Sequence, residues 1–136
     1  MSVNSDAAQR AFDAFSRGDL EAGIATIDPD VEWHVALRLP DLPPDKTVFH
    51  GHEEVRKLWS AVRDSWGEFS LEREQILHDA DDVLVERVRF RGLGAASGIE
   101  VDRVLWYVQE LRDGRLTRIR PFDSAAEALA AAGVEG

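Results

Sequence analysis

Hydrophobic positions change their spacing along the chain, and each change marks an element. Ala8, Ala11, Phe12 and Phe15 fall at i, i+3, i+4 and i+7, one face of a helix. Gly18 supplies a left-handed stop, and Asp19 a cap for a short second helix with Leu20, Ile24 and Ile27 inward and Pro29 as its end. Val31-Glu32-Trp33-His34-Val35 reads as a short strand. Residues 36–51 contain Pro40, Pro43 and Pro44 and read as a loop that gates a pocket. Helical spacing resumes after Gly51 with Val55, Leu58, Trp59, Val62 and Trp66, and Gly67 closes it. Glu53 and Glu54 lie in its first turn, where the helix dipole favours them.

Beyond Gly67 the pattern becomes strand-like, with runs at 69–78, 83–91, 99–111 and 115–122. Asp113-Gly114 between two such runs is a strong hairpin signal. Ser124 with Glu127 forms a capping box for a closing helix that ends at Gly133. Helices first and a meander after them predict a single α+β domain over residues 1–136. Its curved, mostly antiparallel sheet would wrap over the N-terminal helices to form a cone with a central pocket. The run 99–111 is apolar on both faces, with Leu105 and Tyr107 on one and Val104, Trp106 and Val108 on the other. A homodimer through the convex sheet face is expected, because that face would otherwise expose a large apolar patch.

Composition narrows the function classes. The 136 residues are 44% apolar and 31% charged, which excludes a disordered or coiled-coil chain. No apolar run nears the ~20 residues that span a bilayer. The opening MSVNSDAAQR has no basic region followed by an apolar run, so a cytoplasmic location is expected. With no cysteine there is neither disulfide nor thiolate chemistry. Acidic residues outnumber basic ones 26 to 16, a net charge of −10, which argues against nucleic acid and anionic membranes as partners.

Three segments together resemble the SnoaL-like branch of the nuclear-transport-factor-2-like superfamily. They are AFDAFSRGDLEAGIATIDPDVEW, FHGHEEVRKLW and ASGIEVDRVLWYVQELRDGRLTRIRPFDSAAEALAAAG. The resemblance covers nearly the whole chain and implies the cone fold. It leaves chemistry open, since isomerases, polyketide cyclases, dehydratases, epoxide hydrolases and binding proteins share that fold. Where the resemblance would place the ketosteroid isomerase acids and tyrosine, this chain has Ala11, Trp33 or His34, and Trp106 or Tyr107. Where related cyclases and hydrolases keep an Asp after the last hairpin, it has Pro121, with Asp123 one rung on.

Asp123 is therefore the candidate catalytic residue, since an enclosed carboxylate at the pocket mouth suits general acid/base work. Its alternative duty is to support the dipole of the closing helix. Trp33, Trp59, Tyr107 and Arg120 are the candidate pocket residues, Arg120 as a handle for a ligand carboxylate. Trp33 and His34 point to opposite faces, as do Trp106 and Tyr107, so one of each pair lines the pocket. His50, His52 and His78 lack metal-ligand spacing, and neither a metal nor another cofactor is expected. Glu86 interrupts the apolar row Leu84, Val88 and Phe90, and a buried carboxylate needs a partner, for which Arg103 is a candidate. Arg87, Arg89 and Arg91 alternate on the other face, opposite Glu72, Glu74, Glu100 and Asp102. Two functions fit. One is a binder of a small hydrophobic or cyclic molecule that acts as a cofactor-independent acid/base enzyme of isomerase, cyclase, dehydratase or hydrolase type. The other is a non-catalytic, dimeric ligand-binding or accessory protein.

Overall fold

The periodic apolar stripe near the N-terminus folds as α1 (Val3–Ser16), which buries Ala7, Ala8, Ala11, Phe12, Ala14 and Phe15. In this computed structural model, residues 3–35, 47–94 and 98–134 are described, apart from the side chains at 67 and 68. Gly18 takes φ +79 and turns the chain into α2 (Leu20–Ile24), where the Asp19 carboxylate accepts from the Ala22 N–H at 3.2 Å. α2 is shorter than its sequence suggests. Ile27 and Pro29 belong instead to β1 (Ile27–His34). Pro29 is tolerated there because it falls in an irregular stretch between the Ile27 and Glu32 pairings, where no ladder N–H is required. A three-residue strand, β2 (Val48–His50), lies inside the stretch read as loop and pairs antiparallel with β1. Three residues are too few for alternation to announce them. Residues 36–46, with the three prolines and the expected gate, lie outside the described residues.

α3 (Gly51–Ser65) follows, and then four long strands: β3 (Trp66–Ala80), β4 (Val83–Gly94), β5 (Glu100–Arg112) and β6 (Arg115–Phe122). Trp66, read as helical, starts β3. The β5–β6 hairpin turns at Asp113 and Gly114 with φ +51 and +75, the left-handed pair that a two-residue turn between right-twisted strands needs. Sheet order is β2-β1-β6-β5-β4-β3, antiparallel except where β1 runs parallel to β6. That pairing sets Trp33 beside Ile119.

Helices α1 and α3 cover the concave face, α1 on β3, β4 and β6 and α3 on β1, β2 and β3. The main core lies between them, around Phe15, Trp33, Trp59, Leu84, Leu111 and Ile119. Phe15 stacks on Trp59 at 4.7 Å, and Trp33 meets both rings edge-on at 5.4 and 5.6 Å. Each such aromatic pair adds about 0.5–1.5 kcal/mol beyond area burial. α4 (Ala125–Ala131) starts at Ser124, whose hydroxyl accepts from the Glu127 N–H at 3.2 Å. It lies on the opposite, convex face and buries Val85, Val108 and Ala128 with Trp106, Phe122 and Leu129 around them. The apolar patch expected on that face is thus partly covered by the chain's own last helix. The rest carries the expected charge ladder, in which Arg89 reaches Glu74 and Asp102 at 2.9 Å and Arg91 reaches Glu72 at 3.4 Å.

Candidate functional site

One largely apolar cavity opens between the concave sheet face and the helices. Six elements contribute to its wall: Phe12 from α1, Trp33 from β1, Leu58, Trp59 and Val62 from α3, Leu71 from β3, Phe90 from β4 and Tyr107 from β5. Alternation explains the strand residues, since the register places Glu86, Tyr107 and Pro121 on one rung of the concave face. The cavity holds about 60 Å³ of space open to the centre of a water-sized sphere. One water takes roughly 10–15 Å³ on that measure, so the space suits a one- or two-ring molecule.

Polar groups at this wall are few. Among the described lining residues there is no carboxylate. Burial pushes the Tyr107 hydroxyl up from 10.0 to about 12, and the nearby positive charge of Arg103 partly opposes that rise. Tyr107 therefore stays protonated at neutral pH and is a hydrogen-bond donor there, not a base. Trp59 is 6% exposed, and its indole Nε1 has no hydrogen-bond partner among the described residues. His34 borders the cavity too, but its Nε2 sits 3.5 Å from Glu32 Oε1, on the strand side away from Trp33. The open alternatives are thus resolved: Trp33 and Tyr107 face the pocket, and Trp106 packs with α4.

Trp33, Trp59 and Tyr107 line one cavity, whereas Arg120 and Asp123 do not join them. Arg120 alternates with Ile119 and Pro121 and so points to the convex side. There its guanidinium lies 5.7 Å from the Phe122 ring and Nη2 donates to the Ala131 carbonyl at 3.5 Å. Asp123 lies past the end of β6, its side chain 78% exposed and paired with Arg103 Nη2 at 3.1 Å. The enclosure expected for it is absent. Phe12 and Phe90 were legible as members of apolar faces, though not as pocket wall.

Glu86 is fully buried as its apolar row implied, but its partner is Arg73, not Arg103. Arg73 Nε donates to one Glu86 oxygen, and Gln109 Nε2 donates to the other at 2.6 Å. Arg73 also donates to the Ser5 carbonyl, the Ser5 hydroxyl and Gln9 Oε1, each at 3.0 Å. This network ties the start of α1 to the sheet. Among the histidines, His52 Nε2 contacts the Ile27 carbonyl at 3.0 Å. Among the described residues no group of three or more potential ligands could hold a metal ion, and no helix is long and apolar enough to cross a membrane.

A curved six-stranded sheet wrapped over helices encloses the apolar pocket. The SnoaL-like domain model matches residues 8–119, and the chain belongs to that family. Among curated proteins, none matches the chain. The fold is similar to that of TerC co-crystallised with polyporic acid, at 19% identity over 93% of this chain and 95% of that one, with a TM-score of 0.72. A nuclear-transport-factor-2-like protein of unknown function from Burkholderia pseudomallei is 23% identical over 96% and 97%, with a TM-score of 0.74. A Mycobacterium tuberculosis protein in complex with estradiol-17beta-hemisuccinate is 14% identical over 93% and 97%, with a TM-score of 0.76.

Proposed function

We propose that this protein binds a compact, ring-containing small molecule in the concave cavity and is a binding protein in the first instance. The observation that carries this reading is the enclosed aromatic cavity walled by Phe12, Trp33, Trp59, Leu71, Phe90 and Tyr107. Tyr107, kept protonated by burial, offers a hydrogen-bond donor at that wall. Two proteins of the same fold have been crystallised with small organic molecules, which supports the reading.

Calorimetric titration with 2-naphthol tests it. A Kd on the order of 10–100 µM is expected for a ligand of this size. Leu71→Trp, which fills the cavity, should abolish the heat while leaving the circular dichroism spectrum intact. No saturable heat up to about 1 mM, or equal binding by the filled variant, would refute the proposal. The second reading is a cofactor-independent enzyme of isomerase, cyclase, dehydratase or hydrolase type with Asp123 as acid/base. It draws on the place of Asp123 beside Arg103, whose charge reaches Tyr107. Loss of turnover in Asp123→Asn with binding retained would favour it.

A further inference from the structure

Arg103 was read as a partner for Glu86, but Arg73 fills that role, and the fold gives Arg103 a different setting. On β5 it pairs across the sheet with Phe90, a residue of the cavity wall. It shares its strand face with Leu105 and Tyr107, the face that lines the cavity. Its positive charge is felt at the Tyr107 hydroxyl. The Arg103 side chain is 37% exposed and its Nη2 meets Asp123, itself 78% exposed, at 3.1 Å. The pair thus sits on the cavity-facing side of β5, with its anion the more exposed partner.

An ion pair this exposed contributes about 0–1 kcal/mol, so exchanging one carboxylate for another is cheap. An arginine fork also matches a carboxylate with two parallel hydrogen bonds. With a chain charge of −10, an anion approaching this protein is repelled overall and can be held only by a local cation. We propose that Arg103 holds the anionic end of the ligand at the cavity rim in place of Asp123, so that the ligand class is a compact aromatic carboxylate with its ring between Trp59, Phe90 and Tyr107. This assignment rests on the cavity being a binding site. Asp123 then acts as a competitor that occupies Arg103 in the unliganded protein.

The test uses a matched pair of probes, 2-naphthoate and the isosteric neutral 2-naphthamide, titrated by calorimetry at low ionic strength. Wild type should bind the carboxylate about tenfold more tightly than the amide, the gain from a charged hydrogen bond at a partly exposed site. Arg103→Gln should lose that advantage while keeping its affinity for the amide. Asp123→Asn should shift the other way and bind the carboxylate severalfold more tightly, with the amide unchanged. Opposite signs from the two partners of one ion pair are not what a structural role would give. Equal affinity of wild type for both probes overturns the assignment and leaves the cavity reading standing. Binding of neither probe overturns both. Should Arg103→Gln fail to fold, Asp123→Asn decides alone, and no gain for the carboxylate overturns the proposal.

Discussion

Replacing Arg73 with Met should destabilise this protein more than any surface substitution, even though Arg73 lies far from the aromatic wall. Glu86 has no exposed surface and Arg73 keeps 12% of its side chain exposed. The methionine retains the apolar stem and removes the only cation bonded to Glu86 among the described residues. The carboxylate is then left with one neutral donor, Gln109 at 2.6 Å, and α1 loses three hydrogen bonds at Ser5 and Gln9. Breaking one side of a buried pair costs about 3–5 kcal/mol, a third or more of the about 5–15 kcal/mol that holds a domain folded. Arg73→Met combined with Glu86→Leu should be less destabilised than Arg73→Met alone. No charge is then buried unpaired, and the remaining loss is the unsatisfied amide of Gln109 at about 1–3 kcal/mol. Urea unfolding at one protein concentration, followed by circular dichroism and tryptophan emission with matched m-values, measures both. A cost below about 1 kcal/mol for Arg73→Met, or a double variant equal to the sum of its singles, would refute the view that the pair is coupled and buried.

Tyr107 is the single tyrosine, so absorbance at 295 nm follows it alone. It should titrate near about 12 in the folded protein and near 10 in urea, with about 2 kcal/mol of stability lost as pH rises from 10 through 12, because the raised group favours the fold only while protonated. Titration near 10 with the fold intact would place its hydroxyl in water. Gly23→Ala should lower Tm although alanine is the better helix former by ~1 kcal/mol, because the new Cβ would lie 2.6 Å from the Phe15 ring. That ring is fully buried and stacked on Trp59, and overpacking costs about 1–3 kcal/mol. An unchanged or higher Tm would show that Phe15 can move. A homodimer through the convex face, using the half-buried Trp106 and Phe122 beside α4, should give a light-scattering mass about twice the 15.2 kDa chain. A single-chain mass at high concentration would remove it.

Local periodicity says which residues share a face, and here it did so for nearly every element. It cannot say what covers that face, and the placing of Trp106 and the exposure of Asp123 fall in that gap. Trp106 and Tyr107 are equivalent in the alternation of β5, and only α4 docking on Val85 and Val108 assigns Trp106 to the convex side. Asp123 carries on the parity of Pro121, as the sequence implied, and it does meet Arg103 from the Tyr107 face. It is exposed, lying just past Phe122, the last residue of β6. Arg120 is a different case, since its opposition to Pro121 was readable from parity alone and excluded it from the wall that holds Tyr107. The partner of Glu86 could not be read in this way. β3 shifts register between Arg73 and Gln75 and again between Ile76 and His78, so counting back from the hairpin misplaces every residue beyond the first shift. Those irregularities set Arg73 opposite Val88 instead of Phe90, two residues nearer to Glu86, which it reaches. The same bulged hairpin therefore fixes the buried ion pair and leaves a second arginine at the rim of the aromatic cavity, where a ligand can compete for it.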